Sequence, residues 1–197
     1  MLPTHPTIRS VTIRSDSPSR AVELAGYSIE KLVQIAPWRE LKLSFTEDSV
    51  HNFIFEKICR SLSANTTITT LDLVNCPLKQ SGVDELRRLF ETNNTITSLF
   101  MDVDNKANLT SLATALELQK QLVAFGILSD INEPHWTSLI RALKANPSLT
   151  FLEIHPEIPE GSTRDLVDII HHNRLKILDA DFWHEDIDTV CTALLVN

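Results

Sequence analysis

Seven short apolar segments recur along the chain: IRSVTIR from Ile8, WRELKLS from Trp38, ITTLDLV from Ile68, ITSLFMD from Ile96, LVAFGIL from Leu122, LTFLEIH from Leu149 and LKILDAD from Leu175. Each carries an apolar residue, two variable positions, a second apolar residue, one variable position and a third apolar residue. The second apolar positions are Val11, Leu41, Leu71, Leu99, Phe125, Leu152 and Leu178, separated by 30, 30, 28, 26, 27 and 26 residues. A unit of that size cannot bury its own apolar face and must stack on its neighbours, so the period predicts a solenoid.

The second half of each unit supports the same register. Six residues before the strand entries lie Leu32, Leu62, Phe90, Leu116, Leu143 and Ile169. Four residues earlier come Ile58, Leu86, Leu112 and Leu139, the spacing of one helix face. Each unit therefore reads as a short strand, a turn, a helix of about three turns and a return loop. Asn65, Asn93 and Asn146 precede a strand entry by three residues, and Asn173 by two. With only 4 glycines in the chain, these asparagines are expected to supply the left-handed backbone that ends a helix.

From Ile8 to the end, these residues resemble leucine-rich repeats, and the 26–30 residue period with a full helix resembles the ribonuclease-inhibitor-like subclass. The resemblance implies an α/β leucine-rich-repeat solenoid (horseshoe) of seven strand–helix units, with a parallel sheet on the concave face and helices on the convex face. It also implies binding of a protein partner on the concave side. One column departs from the family: five residues after the second apolar position, where Asn or Cys is usual, stand Asp16, Thr46, Cys76, Asp104, Asp130, Glu157 and Trp183. An ionised carboxylate accepts hydrogen bonds but cannot donate them, so the turns after the strands are expected to be looser and wetter.

Composition bounds the function. Repeats of about 28 residues consume residues 1–197, which predicts a single domain. A net charge of −8 argues against nucleic acid, whose phosphates need basic patches. No run of 18 apolar residues could span a membrane. The start, MLPTHPTIRS, lacks the charged-then-apolar layout of a secretory signal, and three widely spaced cysteines fit a reducing compartment, so the expected location is cytoplasmic. Asn65, Asn93 and Asn108 match the glycosylation sequon, but the first two read better as helix ends.

Side chains alternate across a strand, so if the second and third apolar positions face the core, three columns face the concave surface. They read Ser10, Glu40, Thr70, Ser98, Ala124, Phe151, Ile177; then Thr12, Lys42, Asp72, Phe100, Gly126, Glu153, Asp179; then Arg14, Ser44, Val74, Asp102, Leu128, His155, Asp181. From the third strand on, apolar Val74, Phe100, Leu128, Phe151 and Ile177 mix with Asp72, Asp102, Glu153, His155, Asp179 and Asp181. Apolar anchors among acids fit a protein interface, and the acids would steer a partner with a basic patch. The bland alternative is that Phe100, Phe151 and Ile177 shield one another.

Nothing points to chemistry. None of the seven histidines forms the i, i+4 pair with Glu of a metalloprotease, and no CxxC pair occurs for zinc. His171 and His172 suit a helix end, where partly positive imidazoles meet the helix dipole. G-x-S-x-G, P-loop and G-x-G-x-x-G motifs are absent. The run DVDNKA from Asp102 begins like a calcium loop but puts Lys106 at a ligand position and Ala107 where the turning glycine belongs. The acidic segment Asp179 to Asp188 reads as a strand end and helix start rather than an ion site. The expectation is a non-enzyme without cofactor or metal.

Two other classes stay open. Activators of the nuclear-transport GTPase share this repeat type, which makes a small-GTPase regulator an alternative. A structural segment that self-assembles through uncapped ends is another, because VCTALLVN offers the last helix a poor polar cap. Small arrays of this subclass also resemble effectors that intracellular bacterial pathogens inject, which would place the chain in host cytoplasm as a binder.

Overall fold

The computed structural model describes residues 9–15, 30–35, 37–45, 48–103, 106–128, 131, 133–155, 158–159, 161–180 and 187–196. Within them seven parallel strands form one sheet in chain order: β1 (Ser10–Ser15), β2 (Glu40–Phe45), β3 (Thr70–Leu78), β4 (Ser98–Val103), β5 (Ala124–Ile127), β6 (Phe151–Ile154) and β7 (Ile177–Ala180). Helical residues 30–35 (α1) connect β1 to β2. Then α2 (Asp48–Leu62), α3 (Gln80–Thr92), α4 (Lys106–Leu118), α5 (Glu133–Lys144) and α6 (Thr163–Asn173) each lead to the next strand, and α7 (Ile187–Leu195) follows β7.

The pairing matches the register read from the sequence. Val11, Leu41, Leu71, Leu99, Phe125, Leu152 and Leu178 stand side by side across the sheet. A repeated backbone device holds it. The carbonyl of Arg9 accepts from the N–H groups of Arg39 and Glu40, and that of Arg39 from Thr69 and Thr70. The carbonyls of Thr69, Thr97, Val123 and Thr150 do the same for the following units, at 2.7–3.1 Å. One shared acceptor per turn sets where each strand begins, so a slip would break two bonds at once.

Between sheet and helices lies the core. Leu71, Leu73, Cys76, Leu78, Leu86 and Phe90 of the third unit are all buried, as are Ile58, Leu112 and Leu139 on the helix faces. Each such Leu or Ile contributes about 1.5–3 kcal/mol by leaving water. Toward both ends the cover thins: Val11, Ile13, Leu178 and Ala180 are only half-buried, whereas Leu152 and Ile154, one strand inward, are fully buried.

The asparagines work differently from the expectation. Among the described non-glycine residues only Arg174 has positive φ, 54°, and Asn93 ends α3 with φ −101° and ψ 121°. Their side chains instead turn inward and tie successive turns together. Asn65 Nδ2 donates to the Val33 carbonyl at 2.8 Å, and Asn93 Nδ2 to those of Leu62 (2.6 Å) and Asn65 (3.1 Å). Asn146 donates to Leu116, and Asn173 to Leu143 and Asn146. Gln119 takes the same place in the fourth unit, donating to the Asn93 carbonyl at 3.2 Å. A buried carbonyl without a donor is costly, so an amide at each helix exit satisfies the turn before it. Asn65 and Asn93, 4% and 3% exposed, have no room for a glycan; the Asn108 side chain lies outside the described residues. In the turn column after the strands only Cys76 is described, and it is buried; the other six positions lie outside the described residues.

Candidate protein-binding face

The sheet face opposite the helices is built by alternation: in β2 and β4 every second residue is buried and the intervening ones are half-buried. Its middle row runs Thr12, Lys42, Asp72, Phe100, Gly126, Glu153, Asp179 across neighbouring strands. Three clusters arise along that row.

The first is ionic. Lys42 Nζ lies 3.0 Å from Glu40 Oε1 and 3.0 Å from Asp72 Oδ2. Its hydrogen bonds to Asp72, then to Glu40, raise the Lys42 ammonium above its usual value. Asp72 thus already shares a lysine of the same row with Glu40. Its other oxygen accepts from the Val74 N–H at 3.2 Å.

The second is aromatic. Phe100 and Phe151, on β4 and β6, meet edge to face with ring centroids 6.0 Å apart and planes at 71°. Gly126 on the strand between makes this possible: a Cβ there would stand 2.5 Å from Phe100 Cδ1 and 3.3 Å from Glu153 Oε2. A glycine inside a strand marks such a close approach, which was the signal available in the sequence. The two rings shield one another, so both are half-buried; Leu128 and Ile177, at 37% and 53%, are the more exposed apolar groups of the face.

The third joins β6 and β7. His155 Nε2 lies 3.7 Å from Glu153 Oε1 and 3.8 Å from Asp179 Oδ1. His155 follows the last residue of β6, but its backbone N–H donates to the Ile127 carbonyl at 2.9 Å, and that of Leu128 to Met101 at 3.1 Å. The ladder thus continues one residue beyond each strand, which holds both side chains on the face.

One expected member leaves its column. Lys42 pairs with Asp72, but Ser44 then pairs with Asn75, so an irregularity in β3 takes Val74 out of the column that alternation assigned to it. Asp181 lies outside the described residues. Asp102 is half-buried on β4, two residues beyond Phe100.

No protein-family model and no curated protein sequence matches the chain. Among solved structures it is similar to "Leiomodin-1 Actin-Binding Site 2 (ABS2)", with a TM-score of 0.62 and 18% identity over 80% of this chain and 91% of that one. It is also similar to the tropomodulin C-terminal domain of Caenorhabditis elegans, with a TM-score of 0.53 and 12% identity over 98% of this chain and 93% of that one. The fold is a leucine-rich-repeat solenoid. The sheet with its three clusters is its concave face, and the helices form the convex one. Both likenesses bear on the fold; neither singles out the ribonuclease-inhibitor-like subclass or a bacterial effector. Among the described residues no helix is long and apolar enough to cross a membrane.

Proposed function

We propose that the chain is a non-catalytic protein-binding module whose concave face, from β3 to β7, takes a partner with a basic patch. The observation that carries this is the Phe100–Phe151 pair, a half-exposed aromatic platform with Asp102 and Glu153 nearby and Ile177 beside Phe151 in register. Rigid aromatic surface supplies affinity at low entropic cost, and a ring of acids supplies steering. One of the similar solved structures is itself an actin-binding site, which supports protein binding as the use of such a fold and makes actin the first purified probe. Three free thiols fit a reducing compartment such as the cytoplasm. A small-GTPase regulator or an injected effector would engage its target through the same surface, and the identity of the partner separates these readings.

The test is binding of purified actin, and affinity capture from eukaryotic and bacterial lysates, by the native chain and a Phe100→Ala/Asp102→Lys variant. A partner held by the native chain and lost by the variant supports the concave face. A partner held equally by both overturns it.

Self-association through the ends has its own support. Leu178 and Ala180 lack full cover, and Leu195 and Val196 on and just after α7 are 87% and 72% exposed. Sedimentation across a concentration series decides it: a chain that stays monomeric excludes end-to-end assembly.

A further inference from the structure

We propose that Glu153, His155 and Asp179 form a binding site for a divalent transition-metal ion of the zinc type. The inference stands apart from the partner reading and draws on side chains that the repeat pattern placed on the face without any ligating role. One nitrogen and two carboxylate oxygens, one from each residue, all lie within 4.8 Å of one another. Imidazole with two carboxylates is a donor set that suits zinc and its neighbours, whereas calcium and magnesium favour oxygen alone.

The distances fit a ligand set as well as an ion pair. His155 Nε2 stands 3.7 Å from Glu153 Oε1 and 3.8 Å from Asp179 Oδ1. Both separations are too long for hydrogen bonds. They lie close to the roughly 3.4 Å edge of a tetrahedron whose ligands sit about 2.1 Å from zinc. For these two edges an adjustment of a few tenths of an ångström closes the difference; the third, between the two carboxylates, is within 4.8 Å.

The backbone holds the three donors on one small area. Glu153 and Asp179 are paired residues of adjacent parallel strands. His155 lies two residues beyond Glu153 on the same face, with its N–H bound to the Ile127 carbonyl. Gly126 contributes as well: the missing side chain leaves space beside Glu153 Oε2, while Oε1 of the same carboxylate turns to His155. Side chains carried by strands of a packed sheet are better positioned for ligation than those of a loop.

Depth grades across the site. The side chains of Glu153 and His155 are 25% and 33% exposed, and that of Asp179, on the last described strand, is 64% exposed. Two recessed ligands and one at the rim leave the remaining coordination positions facing the concave space, the open arrangement of a three-ligand site. Two carboxylates so close repel one another, and a cation between them removes that repulsion. The net charge of −8 draws cations to the surface in general; His155 makes this position selective for a transition metal.

The experiment is equilibrium dialysis and calorimetry of the whole chain with ZnCl2, with CaCl2 as the oxygen-seeking control. Co2+ absorption reads the coordination directly. His155→Ala and Asp179→Asn run beside the native protein, with Asp84→Asn on the convex side as an acid-removal control; circular dichroism verifies folding. Asp179 is exposed enough that its substitution leaves the fold intact. The expected result is one Zn2+ per chain, retained in Asp84→Asn and weakened at least about tenfold in both site variants, since even outer-shell partners of a metal carry tenfold or more. Calcium is expected to bind far more weakly. Failure to bind Zn2+, or Zn2+ held as tightly by either folded site variant, overturns the site.

Discussion

Phe100 on β4 and Phe151 on β6 touch edge to face over Gly126, two strands apart, with centroids 6.0 Å from each other. The contact bridges a glycine that no other row member could replace without displacing a ring, and it joins the third unit's neighbour to the sixth unit in one surface.

Replacing Gly126 tests that bridge. In Gly126→Ala the added Cβ would meet Phe100 Cδ1 at 2.5 Å, so the ring must swing away. The lost aromatic pair costs about 0.5–1.5 kcal/mol, while removing backbone freedom from the unfolded chain returns about 0.4–1 kcal/mol. Urea unfolding should therefore shift by no more than about 1 kcal/mol, although concave-face binding falls. Unchanged binding with an unchanged Phe100 environment by NMR would count against the bridge.

Burial along one column predicts unequal costs. Leu71 and Leu99 are fully buried, and truncation of either to Ala should cost about 2–5 kcal/mol. Leu178 occupies the same column but is only half-buried, so Leu178→Ala should cost less than about 2 kcal/mol. Equal shifts in chemical denaturation would mean that the end is covered in solution.

The amide ladder makes a sharper demand. Asn93 donates to two carbonyls of the preceding unit and accepts from the N–H groups of Thr95 and Ile96 at 2.9 and 3.0 Å. Asn93→Ala orphans several buried groups and should destabilise by about 2–4 kcal/mol, given about 1–3 for each group left unsatisfied. Asn93→Asp restores the acceptor but not the donor, so it should also be destabilising in thermal melts. A melt indistinguishable from wild type in both would remove the ladder from the account of stability.

Alkaline pH should report on Lys42. Its pairing with Asp72 and Glu40 raises the ammonium above its ordinary 10.5. Stability from this group is therefore fully present below pH 10.5 and is lost as pH climbs through the raised folded value. The side chain is 42% exposed, so the effect is screened and small. Lys42→Met should show a shallower loss of stability above that pH than the native chain, as read by denaturant midpoints.

Thiol chemistry distinguishes the cysteines. Burial pushes Cys76 up to about 12 and Cys59 also upward, while Cys191 on α7 is exposed. Thiolate is the reactive form. A colorimetric thiol reagent should titrate Cys191 in the native protein and all three cysteines only after denaturation; rapid native reaction of Cys59 or Cys76 would contradict the assigned core.

Helix and strand order, the register and the core positions were legible because they depend on periodicity, which a sequence displays directly. A residue at Leu71 or Leu99 is apolar in every unit for the same reason: it faces the helices. The concave membership was legible for the same reason, and alternation placed Phe100, Glu153 and Asp179 in one row. Where the backbone departs from ideal repetition, that logic fails. The irregularity in β3 moved Val74 from its column because Ser44 pairs with Asn75. The asparagines at the helix exits suggest backbone shape in a single unit, but they hydrogen-bond between turns, an inter-unit relation that no single unit reveals.

The sequence by itself determined that units of 26–30 residues stack, and which side chains face in or out, since both follow from local period and hydrophobic burial. The tertiary structure alone decided what meets across strands. Lys42 between two carboxylates, two rings over a glycine, and His155 poised between Glu153 and Asp179 all depend on distances between units. Those distances are set by the packing of neighbouring turns, and composition and period carry no measure of them.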